Sequence, residues 1–277
     1  MTHAQNPPAD DRTPTRAADT TLPAGARDAA EGQASGGENL ALTLSNPVAA
    51  LISVPLQNNF DFGAGPTGDG FQYRLNVQPV IPLTLNPTWN LISRTIVPYV
   101  YQDNVFGTSS QSGLSDTVQS LFISPKAPTE GGWIWGAGPV LLLPTATDDL
   151  LGTEKWGAGP TAVLLKQIQG WTVGGLVNHL WSYAGDSGRG DVNATFLQPF
   201  LNYTTARFAT FGVNMESTYD WTSDQWTVPV NASASQLLKM GKQPIQLSLG
   251  VRYYAEKPDN GPDWGLRFAI TLLFPKG

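Results

Sequence analysis

In Trp264–Phe274 (WGLRFAITLLF), Trp264, Leu266, Phe268, Ile270, Leu272 and Phe274 occupy every second position, with Gly265, Arg267, Ala269, Thr271 and Leu273 between them. A strand turns alternate side chains to opposite faces, so this segment is one continuous apolar face backed by a mostly small or polar one. The same period runs through Phe71–Leu83, Ile245–Tyr253 and Ile52–Phe62. From Leu51 on there is no convincing helical period, and twelve strands are predicted. They lie near 50–64, 71–85, 88–101, 115–127, 131–145, 155–167, 170–183, 192–204, 206–220, 225–236, 243–256 and 262–274.

The connections alternate in character. Asn86-Pro87, Pro128–Gly132, Gln167–Gly170, Thr204-Thr205 and Lys239–Gln243 read as tight turns. QDNVFGTSSQSGL (102–114), ATDDLLGTE (146–154), GDSGRGD (185–191) and EKPDNGPD (256–263) read as longer polar loops. Short turns at one end, long loops at the other and an even strand number predict a single up-and-down antiparallel barrel with both termini on the short-turn side. Pro55, Pro79, Pro82, Pro98, Pro139, Pro160, Pro199 and Pro229 fall inside predicted strands, where each removes a ladder donor. A closed barrel has no edge strand to hide them, so bulges or strand ends are expected at several.

Charge decides what the two faces meet. Charged residues make up 14% of the chain, against about 25% in a typical soluble domain. A soluble sandwich or a lipocalin-type barrel needs an exterior rich in lysine and glutamate. Here the polar face is Gln, Asn, Ser, Thr, Gly and isolated Arg. A transmembrane β-barrel accounts for that, since it turns its apolar face to lipid and its neutral-polar face to a lumen. Aromatic residues near predicted strand ends, among them Trp89, Trp133, Trp171, Trp181, Trp221 and Trp264, suit interfacial girdles. A soluble all-β fold is the competing reading. No run of 18 apolar residues predicts a transmembrane helix. The formal charge of −6, with no basic block, argues against a nucleic-acid partner. The absence of cysteine fits a reducing compartment or an envelope protein that never uses disulfides.

The first forty residues differ from the rest. They hold Asp10, Asp11, Asp19, Asp28, Glu31 and Glu38 with Arg12, Arg16 and Arg27, no aromatic residue, and only Leu22 and Leu40 as large aliphatic side chains beyond Met1. Such a stretch buries too little apolar area to offset its ordering entropy. Residues 1–45 are therefore expected to be a disordered or weakly ordered tail, and 46–277 the barrel. Glu38–Leu51 (ENLALTLSNPVAAL) reads either as more tail or as a short helix or plug at the barrel mouth, because its leucines are costly to leave in water. No basic start followed by an apolar core marks a signal peptide at the N-terminus.

GPVLLLPTATDDLLGTEKWGAGPTAVL (138–164) resembles the central block of a Gram-negative outer-membrane barrel family named for the MetA pathway of phenol degradation. NPVAALISVPLQNNFDFG (46–63), GLSDTVQSLFISP (113–125), QPFLNY (198–203), WTVPV (226–230), GKQPIQLSLGVRYY (241–254) and GPDWGLRF (261–268) resemble further blocks in the same order. The resemblance covers Asn46 to Lys276. It implies a twelve-stranded barrel in the bacterial outer membrane, periplasmic termini and a leader upstream of Met1. It also implies uptake of small, aromatic or hydrophobic compounds through a passive or gated channel. Leu266, Phe268, Ile270, Leu272 and Phe274 resemble the terminal signal read by the barrel assembly machinery, so that machinery, outer-membrane lipid and a small solute are the implied partners.

An outer-membrane hydrolase and a structural barrel with a sealed lumen are the rival readings. A phospholipase- or protease-type site needs a histidine beside a nucleophile or carboxylate. Outside the tail the chain has only His179, whose phase puts it on the lipid face with Val177 and Trp181, so no catalytic residue is expected. No cofactor or metal is expected either: Asp148-Asp149 and Asp259/Asp263 are loop carboxylates. The GAGP repeats lack the strand-to-helix turn and lysine of a phosphate loop. The same phasing points Arg74, Arg94, Arg252 and Arg267 inward with Asp61 as one cationic wall, and Asp116 and Glu216 inward nearer the other side. These residues are read either as an ion-pair network or as the lining of a path for anionic or phenolate-like solutes.

Overall fold

The structure, a computed structural model, describes residues 40–275. Its strands are β1 (Ile52–Ala64), β2 (Gly70–Val77), β3 (Val80–Thr84), β4 (Trp89–Asp103), β5 (Ser110–Leu114), β6 (Thr117–Pro125), β7 (Trp133–Leu143), β8 (Lys155–Ile168), β9 (Trp171–Gly185), β10 (Asn193–Thr204), β11 (Ala209–Met215), β12 (Ser217–Asp220), β13 (Gln225–Met240), β14 (Gln243–Glu256) and β15 (Trp264–Phe274). All pair antiparallel with their neighbours in one sheet. β2 and β3, β5 and β6, and β11 and β12 are each a single interrupted stave, so the fifteen strands make a closed barrel of twelve staves. Closure is by β15 on β1, from Ile52 opposite Phe274 to Phe62 opposite Trp264.

The three interruptions have one cause. At each, an amide of the broken stave donates to the carbonyl of a proline next door: Gln78 to Pro55 at 2.9 Å, Ser115 to Pro98 at 2.9 Å and Glu216 to Pro229 at 3.1 Å. Proline returns no N–H, so the ladder loses half of its exchange there and the strand breaks. Pro229 also sits at a bulge, since Val228 faces Glu256 while Pro229 faces Tyr254. Pro139 and Pro160 face each other across β7 and β8. Pro82 and Pro199 lie within continuous ladders, opposite Ile92 and Gly175.

Each predicted strand corresponds to one stave. The main difference is residues 102–114, read from sequence as a loop. β4 runs through Asp103 and pairing resumes at Ser110, with Gln102 opposite Gln111. Ser, Gln and Gly carry little strand preference of their own, and the neighbouring ladder overrides it. The five tight turns and both ends of the barrel chain, Ile52 and Phe274, share one rim; the longer loops share the other. Gln169 (φ 49°) and Gly170 (φ 84°) make a two-residue hairpin turn in which both φ are positive.

Outward residues are apolar and bare: Leu249 is 66% exposed, Val251 56% and Phe211 54%. With Leu164, Val173 and Val213 they form a continuous belt too large for a surface facing water. Aromatic rings gather at its two margins. Phe62 stacks on Trp264 (centroids 4.7 Å apart) near the long-loop rim, and Trp171 lies 4.8 Å from Tyr203 near the tight-turn rim.

The interior is not uniform. Ile92, Phe122, Val163, Leu165 and Leu176 point inward from β4, β6, β8 and β9 and form a buried apolar cluster, joined by Phe196 and Phe200 of β10. Against it packs Val48, from the segment before β1. Of the expected tail, residues 1–39 lie outside the described residues, whereas residues 40–44 form a helix. Ala41, Ala49 and Leu51 are buried against inward Leu237 and Leu273, with Leu40, Leu44 and Phe208 beside them. Residues 40–51 thus touch β13 and β15 on one side and β4, β6 and β8 on the other, so they cross inside the barrel near the tight-turn rim. Apolar burial holds them there, as their leucine content implied. Gly136, inward on β7, leaves the space: a Cβ there would stand 3.1 Å from Val48 Cγ1.

Candidate functional site

Opposite the apolar cluster the lumen wall is polar. Alternation on β1 sends Gln57, Asn59 and Asp61 inward; on β14 it sends Arg252 inward, and on β15 Arg267. Glu216 stands in the break between β11 and β12, where Pro229 ends the ladder. Two staves, β13 and β14, separate Glu216 from Arg267, yet the long side chains meet. Arg267 donates twice to Glu216, Nη1 to Oε1 at 2.9 Å and Nη2 to Oε2 at 2.7 Å. Arg252 lies between them, its Nη1 3.3 Å from Asp61 Oδ2 and its Nη2 3.8 Å from Glu216 Oε2. The forked guanidinium suits this two-point grip on a carboxylate.

Amides extend the network. Arg267 Nε donates to Asn59 Oδ1 at 2.7 Å, and Asn59 Nδ2 donates to the Arg74 carbonyl at 3.2 Å. Gln72 Nε2 reaches Gln102 Oε1 at 3.0 Å, and Gln102 Nε2 reaches Gln111 Oε1 at 3.3 Å. These amides turn β1, β2, β4 and β5 into one hydrogen-bonded lining. Asn59, Gln72 and Gln78 share the strand phase of Asp61 and Arg74, but alternation alone gives no reason to rank amides with the charges.

The seven residues singled out from the sequence divide into three groups. Asp61, Arg252, Glu216 and Arg267 form the ion-pair cluster, with Arg74 beside it on β2, 3.5 Å from Gln72 Oε1. Arg94 stands apart on β4; its Nη2 donates to Gln78 Oε1 at 3.1 Å, and no carboxylate among the described residues pairs with it. Asp116 joins neither. It lies in the break between β5 and β6 and accepts from Ala146 N (3.2 Å), Thr153 N (2.6 Å) and Thr153 Oγ1 (2.7 Å). Its work is to tie down the 144–154 loop. Arg189 closes the same loop from outside, donating to the Asp149 carbonyl at 2.7 Å and to the Gly152 carbonyl at 2.5 Å.

His179 faces outward on β9. Its Nδ1 is 2.7 Å from Thr195 Oγ1, which also accepts from Trp221 Nε1 at 2.8 Å, and its ring lies 4.0 Å from that of Trp181. Among the described residues no carboxylate orients this imidazole. Leu266, Phe268, Ile270, Leu272 and Phe274 share the outer face of β15, the closing strand.

A closed antiparallel barrel with an apolar exterior, aromatic margins and an ion-paired interior is the architecture of bacterial outer-membrane proteins. The structure is similar to the crystal structure of an outer membrane channel from Pseudomonas putida F1, with a TM-score of 0.64 and 15% identity over 81% of this chain and 96% of that one. The KdgM porin aligns with a TM-score of 0.44 and 12% identity over 81% of this chain and 99% of the porin. The β domain of the Bordetella autotransporter BrkA aligns with a TM-score of 0.46 and 13% identity over 81% and 100%. No family model matches the chain, and no curated protein matches it.

Proposed function

We propose that this protein is an outer-membrane channel that passes small molecules and carries its own gate, residues 40–51, at the tight-turn rim. The observation that carries this reading is the unequal charge of the lumen: among the described residues, four inward arginines against two carboxylates, Asp61 and Glu216, leave a cationic wall. Such a wall concentrates anions and phenolates. The tight-turn rim, with both ends of the barrel chain, is assigned to the periplasm. The resemblance to the phenol-degradation family supports an aromatic or hydrophobic solute, and the outward stripe on β15 is assigned to the barrel assembly machinery. No catalytic step is assigned, since no carboxylate among the described residues pairs with His179.

Planar-bilayer conductance and liposome swelling of the purified barrel test the reading. Anion-selective conductance is expected, and Arg74→Glu with Arg252→Glu should shift the reversal potential toward cations. A solute-tight, electrically silent barrel would defeat it.

The packing of Val48 on Ile92, Phe122 and Val163 favours a second reading, a permanently sealed barrel. Because the chain has no cysteine, Val48→Cys with Gly136→Cys introduces a single disulfide between gate and wall. A gate predicts low conductance when oxidised and recovery on reduction; no difference between the two states supports the sealed barrel.

A further inference from the structure

Residues 43–51 and the staves above them line a half-open cavity of about 230 Å³. Arg94 and Gln78 line one side of it, Gln198 and Asn202 reach in from β10, and Phe200 with Val80 supply an apolar wall. We propose that this cavity binds a small monocarboxylate with an apolar, ring-sized body, its carboxylate on the Arg94 guanidinium and its body against Phe200 and Val80. The proposal rests on the channel reading and gives its solute a chemical class.

Charge accounting within the lumen leads there. Glu216 is committed on both oxygens to Arg267 and Arg252, and Asp61 Oδ2 faces Arg252. Among the described residues Arg94 donates to one neutral partner, the Gln78 amide oxygen. Glu216, already shared by Arg267 and Arg252, acts on Arg94 only from a distance; a partly buried cation with no ion pair of its own is costly unless water or an anion meets it. One guanidinium among neutral amides balances one negative charge, and its planar fork matches two carboxylate oxygens. A doubly charged phosphate would leave a surplus anion beside Glu216. On the far side, Phe200 offers a ring face or edge for a flat apolar group. The amides of Gln198 and Asn202 can turn donors toward the carboxylate.

The test is calorimetric titration of the purified, folded full chain in detergent, at fixed ionic strength, with sodium benzoate, benzyl alcohol and sodium phosphate. Saturable binding of benzoate is expected, at least tenfold tighter than benzyl alcohol or phosphate, and Arg94→Gln should weaken it at least tenfold. Should Arg94→Gln fail to fold, judged by heat-modifiable gel migration, Phe200→Ala takes its place. It should weaken benzoate at least fivefold and leave acetate unchanged. Absence of benzoate binding by the folded protein, equal binding of benzyl alcohol, or benzoate affinity indifferent to both substitutions overturns the proposal. A barrel that conducts without binding benzoate loses the site and keeps the channel; one that binds without conducting keeps the site and loses the channel.

Discussion

The two walls of the lumen are built from the same strand period and reach opposite solutions. On β1, β2, β14 and β15 the inward positions hold Asn59, Asp61, Arg74, Arg252 and Arg267; Arg252 and Arg267 join Asp61 and Glu216 in ion pairs, and Asn59 and Arg74 hydrogen-bond beside them. On β4, β6, β8 and β9 the inward positions hold Ile92, Phe122, Val163, Leu165 and Leu176, and Val48 fills the space between them. One wall satisfies polar groups; the other excludes water. An apolar exterior is compulsory for every stave in lipid, but the interior of a twelve-stave barrel is free to be wet, dry or divided. This one is divided, and residues 40–51 lie between its walls, with Val48 on the dry one and Ala41, Ala49 and Leu51 against Leu237 and Leu273.

That contrast can be broken from either side. The largest effect is expected for Glu216→Ala, which strands Arg252 and Arg267 together. Removing one partner of a buried pair costs about 3–5 kcal/mol, to be read from urea unfolding in lipid vesicles. A loss close to zero would mean that water already screens the charged wall. Next comes Leu165→Ala on the dry wall, with an expected cost of about 3 kcal/mol because a packed site collapses only partly around a deletion. Its outward neighbour Leu164 is the control: lipid closes around the shortened side chain, so Leu164→Ala should cost clearly less. Equal losses at 164 and 165 would show the inner apolar face to be as fluid as the outer.

The rims are where the contrast fades, and smaller effects are expected there. Lys166 Nζ lies 5.6 Å from the centre of the Trp133 ring at the tight-turn rim. Lys166→Ala should cost about 0.5–1 kcal/mol, the range for an exposed cation over an aromatic face. At the opposite rim, Lys155 Nζ donates to Asp191 Oδ1 at 3.1 Å, and Ser182 Oγ donates to the same oxygen at 3.2 Å. The Lys155 hydrogen bond and charge hold the Asp191 carboxyl below its ordinary value of 3.8. A lowered carboxylate value means stability present above the ordinary value and lost as pH falls through the lower one. Proteolytic nicking of the 186–192 loop should therefore rise only in strong acid for the wild-type chain, and Lys155→Met should move that rise to higher pH. A pH profile unchanged by Lys155→Met would remove the pair from the account.

Much of this was legible from residues alone. The terminal stripe from Trp264 to Phe274 gave the period, the sparse charge gave the lipid-facing exterior, and phasing put Arg74, Arg94, Arg252, Arg267, Asp61 and Glu216 inside. What phasing could not supply was distance. Asp116 and Glu216 look alike in sequence, both acidic and both beside a stave interruption, yet one fastens a loop and the other joins two arginines. The dry wall did leave a trace. In Val140–Leu143 and Ala162–Leu165 apolar residues occupy both phases, which is how a strand buried on two faces reads. The prolines that seemed misplaced were legible only in pairs, since each break appears opposite a proline on the adjacent stave.

Alternation in a single strand is a local property, set by backbone geometry and by which side chains tolerate hydrocarbon, so the sequence by itself determined that this chain forms staves with a greasy exterior. Which inward groups meet is set by barrel closure, which brings Glu216 within 2.7 Å of Arg267 across 51 residues of chain and lays residues 40–51 between opposite walls. Tertiary structure alone decided that, because contacts across a lumen depend on stave order and radius, and neither is written in any one strand.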